Sequence, residues 1–301
     1  MQASLEPQRH SSAAPAQWGT GARLAVSLVV NVEEGAEMSV ARGDATMEPV
    51  DELGMFVREP LRNLANESNY RYGLNRGAER VARLLRKHRM RATWTCAAQA
   101  LELSPQVAGL IAEGEHEVCA HGHRWITQLK MDEATERDFI VTARDSIERS
   151  TGRRPVGWLS RYYTTVNTRR LLVEADYRYH MDDFSDDVPF WDRGHSRPIL
   201  VIPYQLDTND MKMWNHPSYT PDHWLKYACD SFDWLLAESR ALGVPRIMSV
   251  GVHLRIIGRP GRIGAFERLL AYIAAAEEAC VLTRTEIADA CAATHSLEST
   301  P

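Results

Sequence analysis

Apolar positions along this chain follow two alternating rhythms. Leu24-Ala25-Val26-Ser27-Leu28-Val29-Val30 is a short run, rich in β-branched residues and bounded by polar ones, so it reads as a buried strand. Gly77 to His88 carries apolar residues at Ala78, Val81, Ala82, Leu84 and Leu85, which is helical spacing. Ala92 to Cys96 reads as a strand, and Ser104-Pro105 as an N-cap with proline in the first turn of a helix that Gly114 stops. Glu117 to Ala120 is a short strand, Asp132 to Ser150 a helix, and Val156 to Leu159 strand-like. Asn167 to Ala175 is helical, and Tyr177 to His180 is a strand. The rhythm then repeats: strand Ile199 to Tyr204, helix within Pro221 to Gly243, strand Arg246 to His253, helix Gly264 to Glu278, strand Ala279 to Thr283.

Strand–helix alternation of this kind predicts a parallel sheet covered by helices, closed as a barrel or open. No internal repeat or linker divides the chain, so one domain is expected over residues 22–292. The polar, Ala-, Ser-, Gln- and Pro-rich residues 1–21 read as a disordered tail, and 293–301 as a C-terminal tail. Asn63 to Gly73, with tyrosines among polar residues, reads as a loop over a pocket or as part of a subunit contact.

Composition narrows the function class. The chain has 301 residues, 44% of them hydrophobic, and a formal charge of −5, which gives no general affinity for nucleic acid or anionic membrane. No apolar stretch reaches the ~20 residues that span a bilayer. With no signal-peptide pattern at the start, a cytoplasmic location is expected. Five scattered cysteines without Cys-x-x-Cys spacing argue for free thiols rather than disulfides or a zinc–cysteine site.

The chemistry collects at the predicted strand ends. Glu33-Glu34, His121, Arg161, Asp182-Asp183, Asp207 to Asp210 and His253 all follow or close a strand. In a parallel α/β barrel such positions meet at one mouth. The Glu33-Glu34 pair stands out, because two adjacent carboxylates beside a buried strand raise one another's pKa, which suits a general base.

These motifs resemble the carbohydrate esterase/polysaccharide deacetylase superfamily, whose distorted (β/α) barrel is therefore the expected fold. Asn31-Val32-Glu33-Glu34-Gly35 lies in register with its Thr-Phe-Asp-Asp-Gly motif, and His121-Gly122-His123-Arg124-Trp125 with its His-x-x-x-His motif. The wording is closer still to the cofactor-independent allantoinases of the purine-utilisation type. Glu33 to Val40 resembles their Glu-Glu-Gly-x-Glu-x-Ser-Val, and His121 to Trp125 their His-Gly-x-Arg-Trp. Asn167 to Leu171, Asp186 to Trp191, Asp207 to Met211 and His253 to Pro260 continue the match, which covers roughly residues 20–292. Gly157 to Tyr163 departs from the Gly-Trp-Tyr-Thr-Gly-Arg form of those enzymes, so a different ureide or a cyclic imide is an alternative substrate.

The resemblance also bears on metal. Deacetylases of the superfamily hold zinc through one Asp and two His, but the position four after His121 is Trp125, whose indole nitrogen only donates. No cofactor is therefore expected, and the alternative is a zinc site built from Glu34, His121 and His123. In the metal-free reading Glu33 activates water, with Glu34 as second choice. His121 orients water or substrate, and His253 protonates the leaving nitrogen. Arg161 or Arg255 stabilises the oxyanion, and Trp125, Trp158, Asp207 and Asn209 contact the ligand. The expected partner is a small cyclic ureide or imide, and the resemblance implies a homo-oligomer, possibly a tetramer. The competing function is metal-dependent N-deacetylation of polysaccharide or peptidoglycan.

Overall fold

A computed structural model of the chain describes residues 11–19, 21–52, 54–215 and 218–298. Strand β1 (Leu24–Val32) is followed by helices α1 (Leu64–Tyr72) and α2 (Ala78–Lys87), joined by a wide π-helical turn, Gly73–Gly77. Next come β2 (Thr93–Cys96), α3 (Ala98–Leu103), α4 (Pro105–Glu113), β3 (Glu117–Ala120), α5 (Glu133–Thr151) and β4 (Gly157–Trp158). Then follow α6 (Thr168–Glu174), β5 (Tyr179–His180), β6 (Phe190–Asp192), β7 (Ile199–Val201), α7 (Pro221–Leu242) and β8 (Arg246–His253). The chain finishes with α8 (Leu254–Ile257), α9 (Pro260–Ala274), β9 (Ala279–Val281) and α10 (Arg284–Glu298).

The strands form one curled sheet in the order β6-β7-β5-β4-β3-β2-β1-β8, with β9 also on β1. Every pairing is parallel except β6–β7. Side chains bridge the gap between β7 and β8. Gln205 Oε1 accepts the Ser249 N–H at 2.5 Å, and the fully buried Arg284 donates to Ile202 O, at 2.7 Å, and to Ser249 Oγ. This is the distorted barrel expected from the sequence.

The period of two along β1 sorts its residues into two cores. Leu24, Val26, Leu28, Val30 and Val32 pack outward under the helices. Ala25 and Val29 point inward with Tyr179, Leu200, Ile202 and Ile247. All nine β1 residues are buried, which is why the run lacks polar alternation. The same inward rows carry Asn31 to the open end of the barrel.

The opposite end is plugged. Ala13, Trp18 and Ala22 join the inner core with Ile287, Ala288 and Cys291 of α10. Trp18 donates its indole N–H to Arg246 O at 2.9 Å, and Ser12 bridges to Phe190. The expected disordered tail is corrected here: its residues 11–19 pack onto the barrel because Trp18 buries a large ring, while residues 1–10 lie outside the described residues. At the far end α10 runs through the expected start of a tail at residue 293, and residues 299–301 lie outside the described residues. Asn63 to Gly73 is a helix rather than a loop: the Asn63 side chain caps the Asn66 N–H at 3.0 Å, and Tyr70 is buried. All five cysteines are free thiols. Among the described residues no helix is long and apolar enough to cross a membrane.

Candidate active site

The open end of the barrel holds a cavity of about 220 Å³. Its polar floor comes from separate strands: Asn31 and Glu33 at the end of β1, His121 after β3, His253 at the end of β8, and Asn209 from the segment after β7. Its walls are Trp125, Leu159, Ser160, Arg161, Tyr162, Phe184, Tyr204, Leu206 and Met211.

Glu33 is the centre of this floor. Its Oε1 lies 3.2 Å from His253 Nε2 and 3.5 Å from His121 Nε2, and its Oε2 accepts Arg255 Nη1 at 2.7 Å. Burial alone would raise its pKa. The charges of His253 and Arg255, with a hydrogen bond from His253, overcome burial and hold the carboxyl well below its ordinary range.

Glu34, its neighbour in sequence, faces the other way. Its Oε1 accepts the Arg255 N–H at 2.9 Å and its Oε2 the Glu33 N–H at 3.1 Å. Burial, reinforced by the Glu33 charge, raises its pKa. The raised pKa expected from the pair thus falls on Glu34, which does not line the cavity. The second-choice base is corrected to a structural acceptor of two buried N–H groups.

His253 is clamped between two acids. Its Nδ1 lies 2.6 Å from Asp210 Oδ1, while Asp210 Oδ2 accepts the His253 and Ile257 N–H groups at 2.8 and 3.2 Å. Burial works against its charge, yet the negative charges of Glu33 and Asp210 raise its pKa to about 9. At neutral pH this ring is an imidazolium with a proton on Nε2.

His121 is held by different partners. Its Nδ1 lies 2.7 Å from Leu159 O and therefore carries the proton. Its Nε2 accepts the Trp125 indole N–H at 3.1 Å. The tryptophan occupies the lone pair that a metal would need. His123 points elsewhere, 3.3 Å from Glu102, and both Glu34 oxygens are engaged. Glu34, His121 and His123 do not converge, and among the described residues no cluster of three or more His, Cys, Asp or Glu side chains suits a metal ion. The donor set does not fit zinc.

Several expected ligand contacts are relocated. Arg161 lines the cavity, but its two terminal nitrogens grip Glu48 at 3.0 and 2.5 Å while its guanidinium stacks 3.6 Å above the Trp125 ring. It braces Trp125 rather than presenting a bare charge. Arg255 sits behind Glu33, fully buried and 4.2 Å over the Tyr70 ring, so it acts through the carboxylate. Trp158 is core: it packs edge-on with Phe139 and Tyr177 on the helix side of the sheet. Asp207 lies outside the cavity and accepts Tyr227 OH at 3.1 Å.

Glu48, Asn31 and Tyr204 were given no role from the sequence, and Asp210 stood there only within the strand-end run Asp207 to Asp210. The Tyr204 hydroxyl accepts Asn209 Nδ2 at 2.8 Å and Asn31 Nδ2 at 3.5 Å, which leaves its own proton for the cavity. A Cβ at Gly251 would sit 1.9 Å from that hydroxyl. A glycine inside an otherwise apolar strand was the legible sign that another group approaches closely there.

Comparison with known proteins agrees with this architecture. Residues 69–181 match the family described as polysaccharide deacetylase. A Schizosaccharomyces pombe protein named "Putative polysaccharide deacetylase" is 34% identical over 303 residues, covering 92% of this chain and 93% of its own. The chain belongs to the polysaccharide deacetylase family. The crystal structure of Puue allantoinase superposes with a TM-score of 0.91 at 34% identity, over 98% of this chain and 99% of that one. The structure of a "probable Polysaccharide deacetylase" from Pseudomonas aeruginosa PAO1 gives a TM-score of 0.87 at 36% identity, over 92% and 93%. Family membership makes this chain a hydrolase by kinship, and the relatives carry both a deacetylase and an allantoinase name.

Proposed function

We propose that the protein hydrolyses a carbon–nitrogen bond in a cyclic ureide or imide, opening the ring as an allantoinase does and using its own side chains for the chemistry. One observation carries this reading: the Trp125 N–H caps His121 Nε2 beside a Glu33–His253–Asp210 relay. The cap closes the nitrogen that a metal-dependent deacetylase would use, and the relay holds a base and an acid side by side.

Water placed against Glu33 Oε1 gives one proton to the carboxylate as its oxygen adds to the ring carbonyl. The C–N bond then breaks, and His253 Nε2–H protonates the departing nitrogen. A strongly acidic Glu33 is a weak base in the resting site, since each pKa unit costs about 1.4 kcal/mol. That cost shrinks as His253 gives up its proton, because the charge that depressed Glu33 leaves with it. Glu33 then returns its proton to His253 across the 3.2 Å gap, so one water is added to the ring and both groups are reset. The Tyr204 O–H is the donor for the oxyanion.

The test is ring opening of allantoin, hydantoin and succinimide by chelator-treated protein, alongside deacetylation of an N-acetylated chitooligosaccharide. Retained ring opening supports the proposal. Deacetylation that appears only on adding zinc, with no ring opening, would replace it with the metal-dependent reading.

A further inference from the structure

The mouth of the cavity differs in character from its floor. Three large apolar side chains, Tyr162, Phe184 and Leu206, all line it and remain 53%, 52% and 45% exposed. They come from three separate connections, after β4, β5 and β7, and converge on one opening. Tyr162 is held there at a backbone cost: its φ of 62° lies in the left-handed region that a non-glycine residue rarely adopts. Its ring meets Trp125 edge-on, with centroids 6.4 Å apart. Met211 and Leu159 continue the apolar wall downward, and Lys212 and Asn215 complete the rim.

Large apolar groups left in water around a pocket mark surface that a ligand covers. A ring seated on the polar floor would direct its substituent past these three residues. A ureido substituent, as on allantoin, would lose water there against the Phe184 and Leu206 carbons, which offer no hydrogen bonds. Arg161 does not supply them, because its terminal nitrogens are engaged by Glu48.

We infer that the preferred substrate is a cyclic amide whose ring bears an apolar, aromatic substituent, covered by Tyr162, Phe184 and Leu206. This rests on the ring-opening reading above and adds the substrate class.

The experiment varies the substituent on one ring: hydantoin, 5-benzylhydantoin, allantoin and hydantoin-5-acetic acid. The benzyl compound is expected to exceed hydantoin and allantoin in kcat/KM by about tenfold or more, the scale on which burying a phenyl group discriminates. In a Phe184→Ser/Leu206→Ser variant the benzyl-to-hydantoin ratio is expected to fall at least about fivefold by the same reasoning. Equal rates for hydantoin and its benzyl derivative would overturn this inference while leaving ring opening intact. So would a preference for allantoin, or for the acetate through Lys212. Failure to open any of the four rings would overturn this inference, and failure on succinimide as well would overturn both.

Discussion

Replacing Asp210 by asparagine isolates the charge that keeps His253 protonated. The ring titrates at about 9 instead of an ordinary 6.5, although burial pushes the other way. That rise is worth about 3 kcal/mol in favour of the imidazolium. Glu33 and Asp210 share it, so neutralising one of them lowers the pKa by about one unit or more while burial still opposes the charge. The raised pKa also ties stability to pH. The contribution of His253 is complete below 6.5 and lost as pH rises through 9. In Asp210→Asn that contribution is smaller and is gone at lower pH, and the new amide also sets an NH2 or a single oxygen against the two N–H groups that Asp210 Oδ2 now accepts. Leaving buried donors unmatched costs about 1–3 kcal/mol. Two measurements read this out: NMR titration of the His253 ring, and kcat/KM for ring opening against pH. Wild type should lose its acid near pH 9, and the variant at least about one unit lower. A His253 that still titrates near 9 in the variant would sink the claim that Asp210 supports its charge.

The two glutamates should separate cleanly. Glu33→Gln should lower kcat by about 10²–10⁴, as removal of a general base does, whereas Glu34→Gln should chiefly lower stability, by about 1–3 kcal/mol, through its two backbone partners. Thermal melts and turnover on both proteins check this, and an inactive but fully stable Glu34→Gln would reverse the assignment. Trp125→Phe keeps the ring under Arg161 but deletes the N–H on His121 Nε2, so His121 should change its NMR tautomer signature while the protein stays folded. An unchanged His121 spectrum would contradict that contact. Gly73→Ala should destabilise by about 1–3 kcal/mol, the usual penalty for overpacking, because a Cβ there falls 2.4 Å from Glu34 Oε1 and 2.9 Å from the Arg255 nitrogen. A wild-type melting temperature would show that the wide turn yields.

Much of the architecture was legible in the chain. β3 and β8 sit where the apolar runs place them, and α5 and α7 are bounded by the Asp132 and Thr220 caps and by Gly152 and Gly243. What escaped had no local signature. Strand β6 is three residues of an antiparallel edge. Helix α1 has a weak apolar stripe and is held by its Asn63 cap and by Tyr70. The N-terminal segment looked polar because its one large ring, Trp18, finds its pocket only in the folded barrel.

The site divides in the same way. The sequence by itself determined that carboxylates and histidines stand at strand ends, because a parallel sheet with helical crossovers delivers all those ends to one face. It also determined that Trp125 stands where a second histidine ligand would be. Only the tertiary structure decided which glutamate faces the cavity, since neighbouring residues leaving a strand point in opposite directions. Only packing decided that Arg255 backs Glu33, that Glu48 braces Arg161, and that Asp210 reaches His253. Those partners lie tens to hundreds of residues apart in the chain, and their charges set the protonation of the site through space, where periodicity and spacing carry no information.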